Sequence, residues 1–159
     1  MSREELKREF PSLSSSPFEI TSPKTKSYNC VAWAANDPTR WWWPVGALMP
    51  GYFWPLGVPR KVDIDSFVAA FQTMGFEVCP DGDPEKDFEK VAIFCDTDNR
   101  PTHAARQLPD GRWTSKMGKG EDIVHERLDQ VSGRLYGAAR TFMKRAVKAK
   151  GQQPSVSPA

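Results

Sequence analysis

The residue that can do chemistry in this chain is Cys30, and the one that can help it is His103. Cys30 follows two good N-caps, Ser27 and Asn29, and precedes the helix-compatible run Val31-Ala32-Trp33-Ala34-Ala35. A thiol in the first turn of a helix feels free backbone N–H groups and the positive end of the dipole. Both favour the thiolate, which is the nucleophilic form. The plainer reading of the same residue is a small buried hydrophobe. His103 opens an expected strand, and Ser115 lies near its level on the expected partner strand. Glu121, Asp122 and His125 follow in a loop rich in lysine and glycine. A strand histidine satisfied by a backbone carbonyl is the alternative for His103. A zinc set drawn from Cys30, Cys79, Cys95 and His103 has no paired ligand spacing to recommend it.

These side chains need elements to hold them. Residues 2–9 read as a short polar helix, and residues 11–25, rich in Ser, Pro and Thr, as an extended lead-in that delivers the backbone to Cys30. Pro38 limits the Cys30 helix by disfavouring helix at Asp37. Residues 40–60 hold Trp41, Trp42, Trp43 and Trp54 among prolines and glycines, which makes this a large irregular loop. Its rings either wall a substrate cleft beside Cys30 or pack beneath the loop, and both roles can coexist. Asp63 to Met74 is the clearest helix: Ile64, Phe67, Val68 and Phe71 share a face, and Gly75 stops it. Short strands are expected over 76–79 and 90–95. A hairpin follows, 102–108 and 113–118, joined through Pro109-Asp110-Gly111. Leu128, Val131, Leu135, Ala138 and Phe142 suggest a C-terminal helix weakened by Gly133 and Gly137, with cations loading its end. Residues 151–159 read as a disordered tail.

Composition sets the outer limits. The 159 residues suit one domain, and a net charge of +2 supplies no field to steer the chain toward nucleic acid or an anionic membrane. Three cysteines without regular spacing argue against a disulfide framework. The first residues are charged and lack an apolar core, so they are not a secretory signal, and no apolar run reaches membrane-spanning length. A cytoplasmic protein, or one exported without a cleaved signal peptide, is expected. No phosphate-cradling loop or dinucleotide fingerprint is present, and no cofactor is expected.

Asn29-Cys30-Val31-Ala32-Trp33-Ala34, followed by Thr102-His103-Ala104-Ala105-Arg106-Gln107 and its return strand, resembles the papain-like superfamily, in particular the NlpC and CHAP type of amidase and peptidase. It also resembles a family of small uncharacterised bacterial proteins with the same Cys-Ala-Trp-Ala-like and His-Ala-Ala-Arg-Gln segments, over about residues 25–125. The resemblance implies an α+β papain-like fold, a nucleophile helix packed on a small antiparallel β-sheet. The lead-in would then be residues 1–25 and the single domain residues 26–150. It implies a thiol hydrolase or acyl transferase acting on a peptide, isopeptide or peptidoglycan-stem amide, in a toxin or effector setting. Cys30 would attack, His103 would move the proton, and Ser115 would orient the imidazole, with Asp122 or Glu121, and further His125, as alternatives for that third place. Such families place His, Asn or Asp there more often than Ser, and their nucleophile helices are usually longer. The backbone N–H of Cys30, with Asn29 or a polar group of Lys24-Thr25-Lys26, would form the oxyanion hole. The expected partner is a protein or peptide substrate, with a cognate or immunity protein beside it. A second reading, from another class, is a non-catalytic binding module that uses the tryptophan loop as its contact surface.

Overall fold

The computed structural model describes residues 3–44, 51–118 and 120–147. The apolar run Phe88–Cys95 forms the long strand β5, named in the chain order β1 Phe18–Ser22, β2 Trp41–Trp42, β3 Tyr52–Phe53, β4 Glu77–Cys79, β5, β6 Pro101–Gln107, β7 Trp113–Lys116, β8 Asp122–His125 and β9 Ala138–Ala146. Seven of these make one antiparallel sheet in the order β1-β8-β7-β6-β5-β9-β4, while β2 and β3 form a separate parallel pair. The helices are short: α1 Arg3–Glu9, α2 Cys30–Ala34 and α3 Ile64–Gln72, with 3-10 turns at Pro11–Ser15 and Leu128–Val131.

Strand alternation divides the core in two. Val91, Ile93 and Cys95 of β5 and Ala104 of β6 face α2, α3 and Trp42 and Trp54. Ala92 and Phe94 of β5 and Ala105 of β6 face the other way, onto Leu6, Phe10 and Leu13 of the N-terminal segment and Met117, Ile123 and Val131. The β6–β7 ladder pairs only Arg106 with Thr114 and Gln107 with Trp113. Residues 101–105 of β6 therefore have no partner in β7, and the sheet parts there.

Much of the local reading holds. Asp63 caps α3 by accepting from the Ser66 N–H at 2.8 Å, and Gly75 turns the chain with a φ of 91°. The hairpin closes through Leu108 N to Arg112 O at 2.7 Å. Two expectations need correction. The fold is not an α+β papain-like helix on a small sheet: it is β-rich, built on a seven-stranded antiparallel sheet, and the Cys30 helix has five residues. The C-terminal helix is also replaced. After the 3-10 turn, residues 138–146 form β9, seated between β5 and β4. A period of 3.6 and a period of 2 both accommodate Phe142, and the open edges of β5 and β4 bring in backbone hydrogen bonds that an isolated helix with Gly133 and Gly137 cannot match. The cations meant for a helix end pair instead with acids around β9, Arg145 with Glu89 of β5 at 3.3 Å and Lys144 with Glu85 of the loop before β5 at 2.8 Å. The lead-in contributes more than a path to Cys30, since β1 pairs with β8 at the sheet's edge. The disordered-tail expectation, and residues 45–50 of the tryptophan loop, lie outside the described residues.

Candidate functional site

α2 begins at Cys30 because Asn29 caps it. Asn29 Oδ1 accepts from Ala32 N at 3.1 Å and from Trp42 N at 3.0 Å, and its Nδ2 donates to Trp42 O at 2.7 Å. Both ends of the amide are used, so its side chain clamps α2 to β2, with one Nδ2–H spent on Trp42 O. A five-residue helix has a small dipole. What surrounds the sulfur is local: the backbone N–H groups of Ala104, Val31 and Cys30 itself, with the Lys116 charge beyond them. Burial outweighs these and pushes the Cys30 thiol up to about 11, so it rests protonated. Cys30 is 7% exposed.

His103 is 1% exposed, and alternation turns its imidazole away from the Ala104 side chain, toward Phe94 and Tyr136. The Tyr136 ring stacks on it at 4.0 Å and 7°, and the Phe94 ring meets it edge-on at 5.1 Å. Gly137 holds Tyr136 there. A Cβ at Gly137 would come within 1.9 Å of the Cys95 carbonyl oxygen, and its φ of 71° suits glycine.

From His103 a hydrogen-bonded chain crosses the parted strands. His103 Nε2 is 3.1 Å from Ser115 Oγ, Ser115 Oγ is 2.8 Å from His125 Nε2, and His125 Nδ1 is 3.0 Å from Arg127 O. The end of the chain sets every proton. A carbonyl oxygen only accepts, so His125 carries hydrogen on Nδ1. Burial holds His125 down to about 4 and His103 well below the usual histidine range, helped at His103 by the neighbouring His125, so both imidazoles are neutral. His125 Nε2 is then bare and accepts the Ser115 O–H. Ser115 Oγ accepts His103 Nε2–H, and the remaining lone pair lies on His103 Nδ1. That atom is buried and has no hydrogen-bond partner.

The structure therefore brings His103 and Ser115 together, with His125 as a third member. It does not hydrogen-bond Cys30 to His103. The sulfur meets the strand at Ala104, beside the histidine, where β6 and β7 part. Asp122 does not reach the imidazole: Tyr28 and Ser22 donate to its Oδ2 at 2.6 and 2.5 Å, and its Oδ1 is a second buried acceptor without a hydrogen-bond partner. Glu121 adds its charge beside Lys116, whose Nζ donates to Thr25 O, Gly118 O and Gly120 O at 2.8, 2.8 and 2.6 Å. Trp42 and Trp54 are buried against α3 and Phe53, Trp41 and Trp43 are half-buried, and Trp43 and Trp54 both pack on Phe67. These rings serve first as core. Sequence reasoning missed Tyr136, because it was read into a helix, and Lys116, whose alternation on β7 could have placed it on the α2 face. A cavity of about 600 Å³ lies further along β6, lined by Arg106 to Pro109 with Phe88 and Glu89, and none of the relay residues lines it. Among the described residues no helix is long and apolar enough to cross a membrane, and no group of three His, Cys, Asp or Glu side chains is placed to hold a metal ion.

A family model described as Domain of unknown function (DUF7689) matches residues 19–144. No curated protein and no solved structure matches the chain.

Proposed function

The chain belongs to the family described as Domain of unknown function (DUF7689), and from the geometry of its buried relay we propose that it is a thiol hydrolase or acyl transferase acting on an amide. The observation that carries this reading is the bare Nδ1 of His103, its tautomer set by Ser115, His125 and the Arg127 carbonyl. A buried nitrogen with no partner is costly in a structural histidine, whereas a base needs such a lone pair. The order of the Cys and His motifs, shared with NlpC and CHAP type amidases, supports it too.

The chemistry runs from neutral partners. As Cys30 Sγ attacks the amide carbon, His103 Nδ1 takes the S–H proton, forming the S–C bond and an imidazolium. Ser115 and His125 accept the strengthened Nε2–H along the chain. When the C–N bond breaks, the imidazolium returns the proton to the leaving amine. Water, deprotonated by the same nitrogen, or an acceptor amine then cleaves the thioester. The N–H groups of Ala104 and Val31, which already converge on the sulfur, steady its developing charge. Because the thiol and imidazole are both neutral at rest, the rate of acylation follows general-base catalysis rather than a preformed ion pair.

The test is acyl capture. The chain is incubated with a peptide thioester and a peptide aldehyde, and Cys30 adducts are read by mass spectrometry. An adduct on Cys30, slowed by His103→Ala and abolished by Cys30→Ser, is the expected result. Adducts that form equally fast without His103, or only on Cys79 or Cys95, overturn it. A non-catalytic binding module is the second reading. Tyr52, 43% exposed, and Leu56, 92% exposed, favour it as apolar side chains offered to a partner.

A further inference from the structure

The proposed base, His103, is covered by the chain's own first residues. Leu6, Phe10 and Leu13 are buried on the same face of the sheet as His103, against Phe94, Ala105 and Met117. Phe10 packs on Tyr136 at 5.0 Å, and Tyr136 lies flat on His103. Rings thus stack outward from the imidazole to the N-terminal segment. The segment is anchored to the loop that holds the relay. Gln130 Nε2 donates to Leu13 O, Ser16 O and Pro17 O at 3.1, 2.9 and 3.3 Å, and Arg127, whose carbonyl fixes His125, donates from Nη2 to Ser15 Oγ at 2.9 Å.

Two features set this segment apart from the sheet it covers. It precedes residues 19–144, the part matched by the family. Its helix α1 is seven residues long, too short to persist alone in water, so its order comes from the apolar side chains it inserts. His103, at 1% exposure, is closed to a polypeptide while the segment is seated, and Cys30, at 7%, lies in the α2-face core with its sulfur meeting β6 where β6 and β7 part.

We propose that the His103 face beneath residues 3–15 is the substrate cleft, and that Leu6, Phe10 and Leu13 occupy it in place of the substrate. The substrate class is then a polypeptide that presents spaced apolar side chains to a dry groove lined by Phe94, Ala105, Met117 and Ile123. Substrate and the N-terminal segment compete for one surface, and Tyr136 moves off the imidazole when the segment leaves. This rests on the thiol-hydrolase reading for its chemistry, while the occupancy itself can be tested separately.

The experiment measures iodoacetamide labelling of Cys30 in the full chain, with Cys79 and Cys95 as internal references and hydrogen exchange over residues 3–15 as the measure of release. Phe10→Ala with Leu13→Ala is expected to release the segment and speed Cys30 labelling about tenfold or more, with Cys95 unchanged. Phe10→Leu should restore the slow rate. A synthetic peptide of residues 3–15 should slow labelling of the released chain, and the same peptide with Leu6, Phe10 and Leu13 changed to Ser should not. Release without faster labelling, equal acceleration at Cys95, or no effect of the peptide overturns the proposal. Should the double variant not fold, the native chain is labelled in sub-denaturing urea. A shallow urea dependence at Cys30 supports local opening, and the full global dependence overturns it. Acceleration that is unchanged by adding His103→Ala supports the occupied cleft and overturns the catalytic reading.

Discussion

The two faces of the sheet treat their buried polar groups differently. On the α2 face nearly every group is saturated. Lys116 Nζ meets three carbonyl oxygens, Asn29 spends both ends of its amide, and Thr114 Oγ1 accepts from Trp33 Nε1 while donating to Ile123 O. The exception is Asp122 Oδ1. On the opposite face the polar groups are strung in series, and the series ends in one bare nitrogen. Saturated groups hold a backbone in place. An open-ended chain of neutral donors and acceptors can pass a proton's charge along itself, which is why the reacting base belongs to the second face.

Lys116→Met should break the first face most severely. It leaves three carbonyls of the 116–120 turn and the lead-in without their donor, and the expected loss is about 3–5 kcal/mol in urea unfolding. A loss under about 1 kcal/mol would mean water replaces the ammonium and the face is not saturated by it.

Ser115→Ala and Thr114→Ala sharpen the contrast, because neighbouring hydroxyls serve opposite faces. Ser115→Ala strands two imidazole nitrogens and should cost about 2–4 kcal/mol, against about 1–2 kcal/mol for Thr114→Ala. Only Ser115→Ala frees His103 from its tautomer, so only it should change the pH profile of Cys30 acylation. Equal profiles in the two variants would dissolve the distinction between the faces.

The last expected effect is in pH, spread over about two units rather than tied to one substitution. His125 is held at about 4 and His103 well below its usual value in the folded chain, so the unfolded chain binds more protons below pH 6.5. Stability is therefore full above the unfolded pKa and falls as the pH drops toward 4, by up to about 1.4 kcal/mol per unit for each histidine. Thermal unfolding from pH 7 to pH 4.5 should show the midpoint falling. His125→Gln should flatten part of that slope, and an unchanged slope would place the neutral His125 in doubt.

The local pieces are legible in the residues next to them. Asn29 caps α2, Asp63 caps α3, Pro109-Asp110-Gly111 turns the hairpin, and the apolar run before Cys95 makes a strand, because each depends on neighbours within a few residues. The sequence also placed His103 and Ser115 on the two strands of one hairpin, although the ladder ends at Arg106 and Thr114 before it reaches either of them. Packing between distant segments set the rest. Residues 138–146 became a strand because β5 and β4 left edges to fill, a condition invisible to a pattern that fits both periods. His125 joined Ser115 because β8 pairs with β7 in that register. The bare nitrogen on His103, and the first residues folded over it, follow from contacts between segments far apart in the chain, and no local spacing encodes those.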